Sequence, residues 1–217
     1  MNFKDEVYVY YSFIDPEMQD ERLMNYLHQL PPGLWKDIVK YRQKADQVRS
    51  LTGKLLLREA IQEAGLDAGL MNSIAYTDFK RPYIAEHFDF NITHSGNCVA
   101  LALGYDMRLG IDVEQVTPIS PDDILTVLRP DELDEMRRTN ADADTVLRFW
   151  TRKEAIVKAS GEGLYRQPQE IYFQDSLTAQ TADTAWFLQE IELGSDYICY
   201  YAANVSGKKT VIRRVEY

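Results

Sequence analysis

A chain of 217 residues, 45% hydrophobic and 27% charged, holds enough apolar material for a real core and divides into two small domains at most. Its net charge of −10 argues against general nucleic-acid binding, and no run approaches the ~18 uncharged apolar residues of a membrane span. Acidic residues in Met1-Asn2-Phe3-Lys4-Asp5-Glu6 argue against a secretory leader, so the expectation is a cytoplasmic protein whose Cys98 and Cys199, each inside an apolar run, are buried free thiols.

In chain order, β-branched and aromatic residues predict a strand over 7–14. Asp15-Pro16 opens a helix to about residue 30, which Pro31-Pro32-Gly33 breaks. Helix is predicted over 34–65, in two pieces around Asp46. Short strands follow at 74–77, 80–84 and 88–92. A hairpin is expected from 98–103 through Gly104-Tyr105-Asp106 to 108–116. Residues 120–138 read as helical behind the Ser120-Pro121 cap, and 145–160 as a second helix stopped by Gly161 and Gly163. Strands at 171–173, 185–193, 197–203 and 210–215 complete the chain, the last two as a second hairpin. Helix followed by strands ending in a hairpin thus occurs twice. The expected fold is α+β, with two similar halves, 1–116 and 117–217. Each is a helix plus a small antiparallel sheet, and the halves pack as a pseudo-twofold pair with a ligand cleft at their junction.

The charge is uneven. Seven basic residues (Lys36, Lys40, Arg42, Lys44, Arg49, Lys54, Arg58) face two acidic ones between positions 36 and 58, which suits a local anion site. In Leu109-Gly110-Ile111-Asp112-Val113-Glu114, alternation sends the apolar residues to the core. Asp112 and Glu114 then share a face with Cα atoms about 6.5 Å apart. Two like charges on one strand face suggest a cation between them, although a solvated acidic face accounts for them equally well. In the later helix Glu154 and Lys158 fall one turn apart beside Trp150, itself expected to be core. A surface ion pair is the plain alternative there. Asn91-Ile92-Thr93-His94-Ser95-Gly96 places an imidazole between two hydroxyls before a glycine, a turn able to hold phosphate.

Together, Phe90 to Gly96, Leu109 to Glu114, and Phe149-Trp150-Thr151-Arg152-Lys153-Glu154 with Lys158 and Gly161-Glu162-Gly163-Leu164 resemble the 4′-phosphopantetheinyl transferase superfamily. The likeness is to its long, monomeric, surfactin-synthetase-activating type. Lys44-Ala45-Asp46, Arg49-Ser50-Leu51, Gly53 and Arg81-Pro82 extend it upstream.

The resemblance implies transfer of the phosphopantetheine arm of coenzyme A, as co-substrate, to a serine of an apo acyl or peptidyl carrier protein, releasing adenosine 3′,5′-bisphosphate. It implies Mg²⁺ held by Asp112, Glu114 and Glu154, with Glu154 taking the serine proton, directly or through a metal-bound water, and Lys158, or more weakly Lys153, facing the pyrophosphate. Arg49, Arg81 and the Thr93-His94-Ser95 turn match positions around the nucleotide and its 3′-phosphate, joined by Lys36 or Lys40. Thr93 stands where serine is frequent in the family. Arg129, Arg137 and Arg138 with Leu125 and Leu128 are a candidate carrier surface. No membrane or nucleic-acid partner is implied. The competing readings are a non-catalytic member that binds coenzyme A or a carrier, and a Mg²⁺-dependent phosphohydrolase.

Overall fold

The computed structural model describes residues 5–84, 87–163 and 167–217. Residues 1–4, where a leader was argued against, and Leu164, the last residue of the helix motif, lie outside the described residues.

β1 (Glu6–Phe13) is followed by α1 (Asp20–Leu27), a 3-10 turn at Pro32–Leu34, α2 (Trp35–Val39) and α3 (Lys44–Glu63). A 3-10 segment at Ala68–Ser73 leads to β2 (Ala75–Tyr76), β3 (Pro82–Tyr83), β4 (Phe88–Ser95), β5 (Cys98–Tyr105) and β6 (Leu109–Gln115). Pro121–Ile124 is a further 3-10 turn before α4 (Pro130–Thr139) and α5 (Ala143–Ser160). After Pro168–Glu170 come β7 (Tyr172–Phe173), β8 (Thr178–Gln180), β9 (Ala185–Glu190), β10 (Tyr197–Ala203) and β11 (Lys209–Arg214).

The chain forms two compact units, Met1–Asp106 with Lys208–Tyr217, and Met107–Gly207. In the first, a four-stranded sheet of order β11-β1-β5-β4 is antiparallel except for the parallel pair β1 and β11. α3 packs on β5, β1 and β4. It buries Val48, Leu51, Leu55 and Ile61 against Tyr8, Tyr10, Val99 and Leu101. In the second, the order is β6-β10-β9-β8-β7, antiparallel throughout, and α5 lies on β6 and β10. One side of α5 joins Trp186, Ile198 and Tyr200 in a core, while Val146 on another side meets Ile124, Val127, Leu128 and Met136. The fold is α+β, with a long helix on a largely antiparallel sheet in each unit.

Several connections differ from the sequence expectation. β5 does not form a hairpin with β6, because both its edges are taken, by β1 and by β4. The hairpin lies one strand earlier: Ser95 pairs with Cys98 across Gly96-Asn97, and Gly96 supplies the positive φ of 53°. β10 likewise has β6 and β9 on its two edges, so β11 pairs with β1 instead of closing a second hairpin. The boundary between units therefore falls at Asp106 and Met107 rather than at 116, which puts β6 and its carboxylates in the second unit. Pro130, lacking an N–H, starts α4 and splits the helix expected over 120–138. α1 is shorter than its expected span, and the break after α2 comes before Lys44 rather than around Asp46. Among the described residues no helix is long and apolar enough to cross a membrane.

Candidate active site

In the second unit, α5 is set by its ends. The Asp142 side chain accepts the Thr145 N–H at 2.9 Å, and Gly161, at φ 75°, stops the helix. α5 comes close to β6 because Gly110 carries no side chain. This contact brings two periodicities together: Asp112 and Glu114 at i, i+2 on the strand, Glu154 and Lys158 at i, i+4 on the helix. Lys158 Nζ lies 2.5 Å from Asp112 Oδ1. Asp112 is 3% exposed, deeper than strand alternation requires, while Glu114, Glu154 and Lys158 are half-buried. Burial pushes the Glu154 carboxyl above the usual carboxylate range; Asp112 and then Glu114 add to this, and Lys158 opposes it. Trp150 is half-buried rather than core, and its Nε1 donates to Glu114 Oε1 at 3.1 Å.

Three carboxylates with no softer donor beside them suit a hard divalent cation such as Mg²⁺. Their spacing does not yet gather them: among the described residues no three acidic, histidine or cysteine side chains stand close enough to hold a metal ion. One oxygen of Asp112 is held by Lys158 and one of Glu114 by Trp150.

Lys153 is not brought to the carboxylates. It is fully buried, its Nζ 2.7 Å from Glu132 Oε2 and 2.9 Å from the Val127 carbonyl. Burial lowers its pKa and Glu132 works against that. A charge next to Glu154 in sequence thus serves the interior of the unit. Arg152 lies over Phe149 and Phe173 and donates to the Ser176 carbonyl. The candidate carrier patch is internally paired: Arg129 with Asp131 and Glu132, Arg137 with Asp122, Arg138 with Glu135. Leu128 is core, while Leu125 is exposed.

In the first unit, Arg49 joins α3 to the histidine turn. Its Nε donates to the Gly96 carbonyl at 2.9 Å, and Nη1 reaches Asp46 at 2.8 Å. Thr93 is buried, His94 exposed and Ser95 half-buried at the end of β4. Arg81 makes a two-pronged pair with Asp89 at 2.7 and 2.8 Å, which the sequence reading missed. Lys36 and Lys40 are exposed on α2, with Lys40 3.5 Å from Asp37. Lys36 also lines a cleft of about 320 Å³ with Asp37, Met71, Asn72 and Tyr76. The structure therefore ties Arg49 to the His94 turn and leaves Lys36 and Lys40 on the surface of α2.

Two α+β units, one bearing a basic helix pair and the other a carboxylate and lysine patch, match the two-half architecture expected from the sequence. A family model described as 4′-phosphopantetheinyl transferase, N-terminal, matches residues 16–105, and one described as the 4′-phosphopantetheinyl transferase superfamily matches residues 108–202. The chain belongs to this superfamily. It is similar to the 4′-phosphopantetheinyl transferase Sfp of Bacillus subtilis, 26% identical over 161 residues, or 72% of this chain and 71% of that one. With the 4′-phosphopantetheinyl transferase AcpT of Escherichia coli it is 32% identical over 142 residues, 61% of this chain and 66% of that one. A Haemophilus influenzae relative is 30% identical over 129 residues, 56% and 54% of the two chains. The matched segment thus spans from about half to about seven tenths of these relatives' lengths.

Proposed function

We propose that this protein transfers the 4′-phosphopantetheine group of coenzyme A to a serine hydroxyl of an apo acyl or peptidyl carrier protein, as a monomer in the cytoplasm. The observation that carries the reading is the contact of Asp112 with Lys158 beside Glu154, at the β6 and α5 positions where the superfamily resemblance puts its reacting groups. Two buried free cysteines suit the reducing compartment.

The serine oxygen attacks the phosphorus bearing the pantetheine arm. A new P–O ester bond forms as the pyrophosphate P–O bond breaks, and adenosine 3′,5′-bisphosphate leaves. Glu154 takes the serine proton from its half-buried place on α5. Lys158 meets the pyrophosphate oxygens with its ammonium. Arg49 and the Thr93-His94-Ser95 turn are assigned the nucleotide phosphates, with Arg81, Lys36 and Lys40 at the same end. Bound Mg²⁺, held by Asp112, Glu114 and Glu154, would neutralise charge on the transferred and leaving oxygens.

The test is mass spectrometry of a panel of apo carrier proteins incubated with the enzyme, coenzyme A and Mg²⁺. One carrier is expected to gain one phosphopantetheine; a panel with no mass gain defeats the reading. Release of phosphate without any carrier would point to a phosphohydrolase instead.

A further inference from the structure

We propose that Lys158 and the divalent cation compete for Asp112, Lys158 being a built-in counter-ion that metal loading displaces. The inference rests on the functional reading above and goes beyond it in giving Lys158 a second role, one that opposes metal binding.

Asp112 is the most deeply placed of the three carboxylates, at 3% exposure. An ionised carboxylate that far from water needs a cation beside it. Lys158 supplies one at 2.5 Å. A metal ion on Asp112 would lie at roughly 2.0–2.1 Å from the same carboxylate. Two positive centres would then share one small group, and repulsion between them favours one occupant. Lys158 is the one able to leave. Its side chain is 30% exposed against 5% for Asp112, and it stands in the last turn of α5 on a flexible four-carbon stem.

Displacement by the metal turns the Lys158 ammonium away from Asp112 Oδ1 and outward, where pyrophosphate oxygens can meet it. Metal loading and phosphate contact by Lys158 then become one coupled event.

The test is Mn²⁺ binding without coenzyme A, followed by electron paramagnetic resonance, for the wild type, Lys158→Met and Lys158→Arg. Lys158→Met is expected to bind Mn²⁺ at least about fivefold more tightly, a modest coupling, although its transfer activity falls. Lys158→Arg, which keeps the charge, is expected to stay near wild type. Mn²⁺ should also raise the melting temperature of Lys158→Met more than that of the wild type. If Lys158→Met is too unstable to titrate, Lys158→Gln takes its place. Equal or weaker Mn²⁺ binding by the neutral variant overturns the inference, as does equal tightening by Lys158→Arg. Wild-type carrier transfer is measured alongside. Its absence brings down the functional reading, whereas intact transfer with unchanged Mn²⁺ affinity in the neutral variant brings down only this inference.

Discussion

Gly110 on β6 stands against Ala155 on α5 so closely that a Cβ at Gly110 would lie 2.3 Å from the Ala155 carbonyl oxygen; it would meet the Ala159 nitrogen at the same 2.3 Å. These are backbone atoms of a packed helix and cannot move aside as a side-chain tip can. β6 carries Asp112 and Glu114 and α5 carries Glu154 and Lys158, so this one missing side chain sets the distance between the two sets. Gly110→Ala should lower stability by about 1–3 kcal/mol or more, the range for overpacking, and cut transfer at least tenfold at temperatures where the variant remains folded. Urea denaturation and carrier-loading rates check this. Near-normal values for both would mean that α5 can shift without cost.

Trp150→Phe keeps most of the ring but removes the N–H that holds Glu114 at 3.1 Å. A loss of about 0.5–1.5 kcal/mol is expected for the hydrogen bond. The Mg²⁺ concentration for half-maximal transfer should rise several-fold, with the rate at saturating metal less affected. Unchanged metal dependence would make Trp150 packing alone.

The buried pair of Lys153 and Glu132 predicts an asymmetry. Glu132 has Arg129 as a second partner at 3.1 Å, while Lys153 Nζ meets Glu132 and the Val127 carbonyl. Glu132→Gln should therefore cost about 3–5 kcal/mol by stranding a buried ammonium, and Lys153→Met distinctly less. Chemical denaturation ranks the two. A rise in the coenzyme A KM of Lys153→Met with no loss of stability would instead return Lys153 to the phosphate-binding set.

Burial pushes the Cys98 thiol up to about 12. Between the ordinary thiol value and that point the unfolded chain gives up the proton while the folded chain keeps it. Stability from this source therefore falls as pH rises, by at most about 1.4 kcal/mol per unit. Comparing the wild type with Cys98→Ala at pH 8 and pH 10 isolates the effect: the wild type should lose more. Parallel losses would show the thiol to be insensitive.

Local spacing was the legible part of the sequence. A strand repeats every two residues and a helix nearly every four, so Asp112 with Glu114 and Glu154 with Lys158 could be placed on common faces without knowing the fold. Strand partners were not legible, because alternation says which way a side chain points and nothing about which edge finds which neighbour. β5 and β10 accordingly read as paired with the strand that follows each, although each has the preceding strand, β4 or β9, on one edge and a strand distant in sequence, β1 or β6, on the other. Lys153 and Trp150 misled for a related reason. A charge reads as surface and an indole as core until Glu132 and Glu114 arrive from other elements. Gly110 did leave a signal, since glycine inside a strand commonly marks close backbone approach.

The pairing of β1 with β11 matches Glu6 to Lys209, so an early strand waits for one of the last. During synthesis the sheet of the first unit stays open along β1 until residues 209–214 leave the ribosome. The second unit, uninterrupted from Met107 to Gly207, already has all its strands by then. A chain cut short before Lys209 would keep every candidate reacting carboxylate and still leave β1 as an exposed edge, open to pairing with other chains.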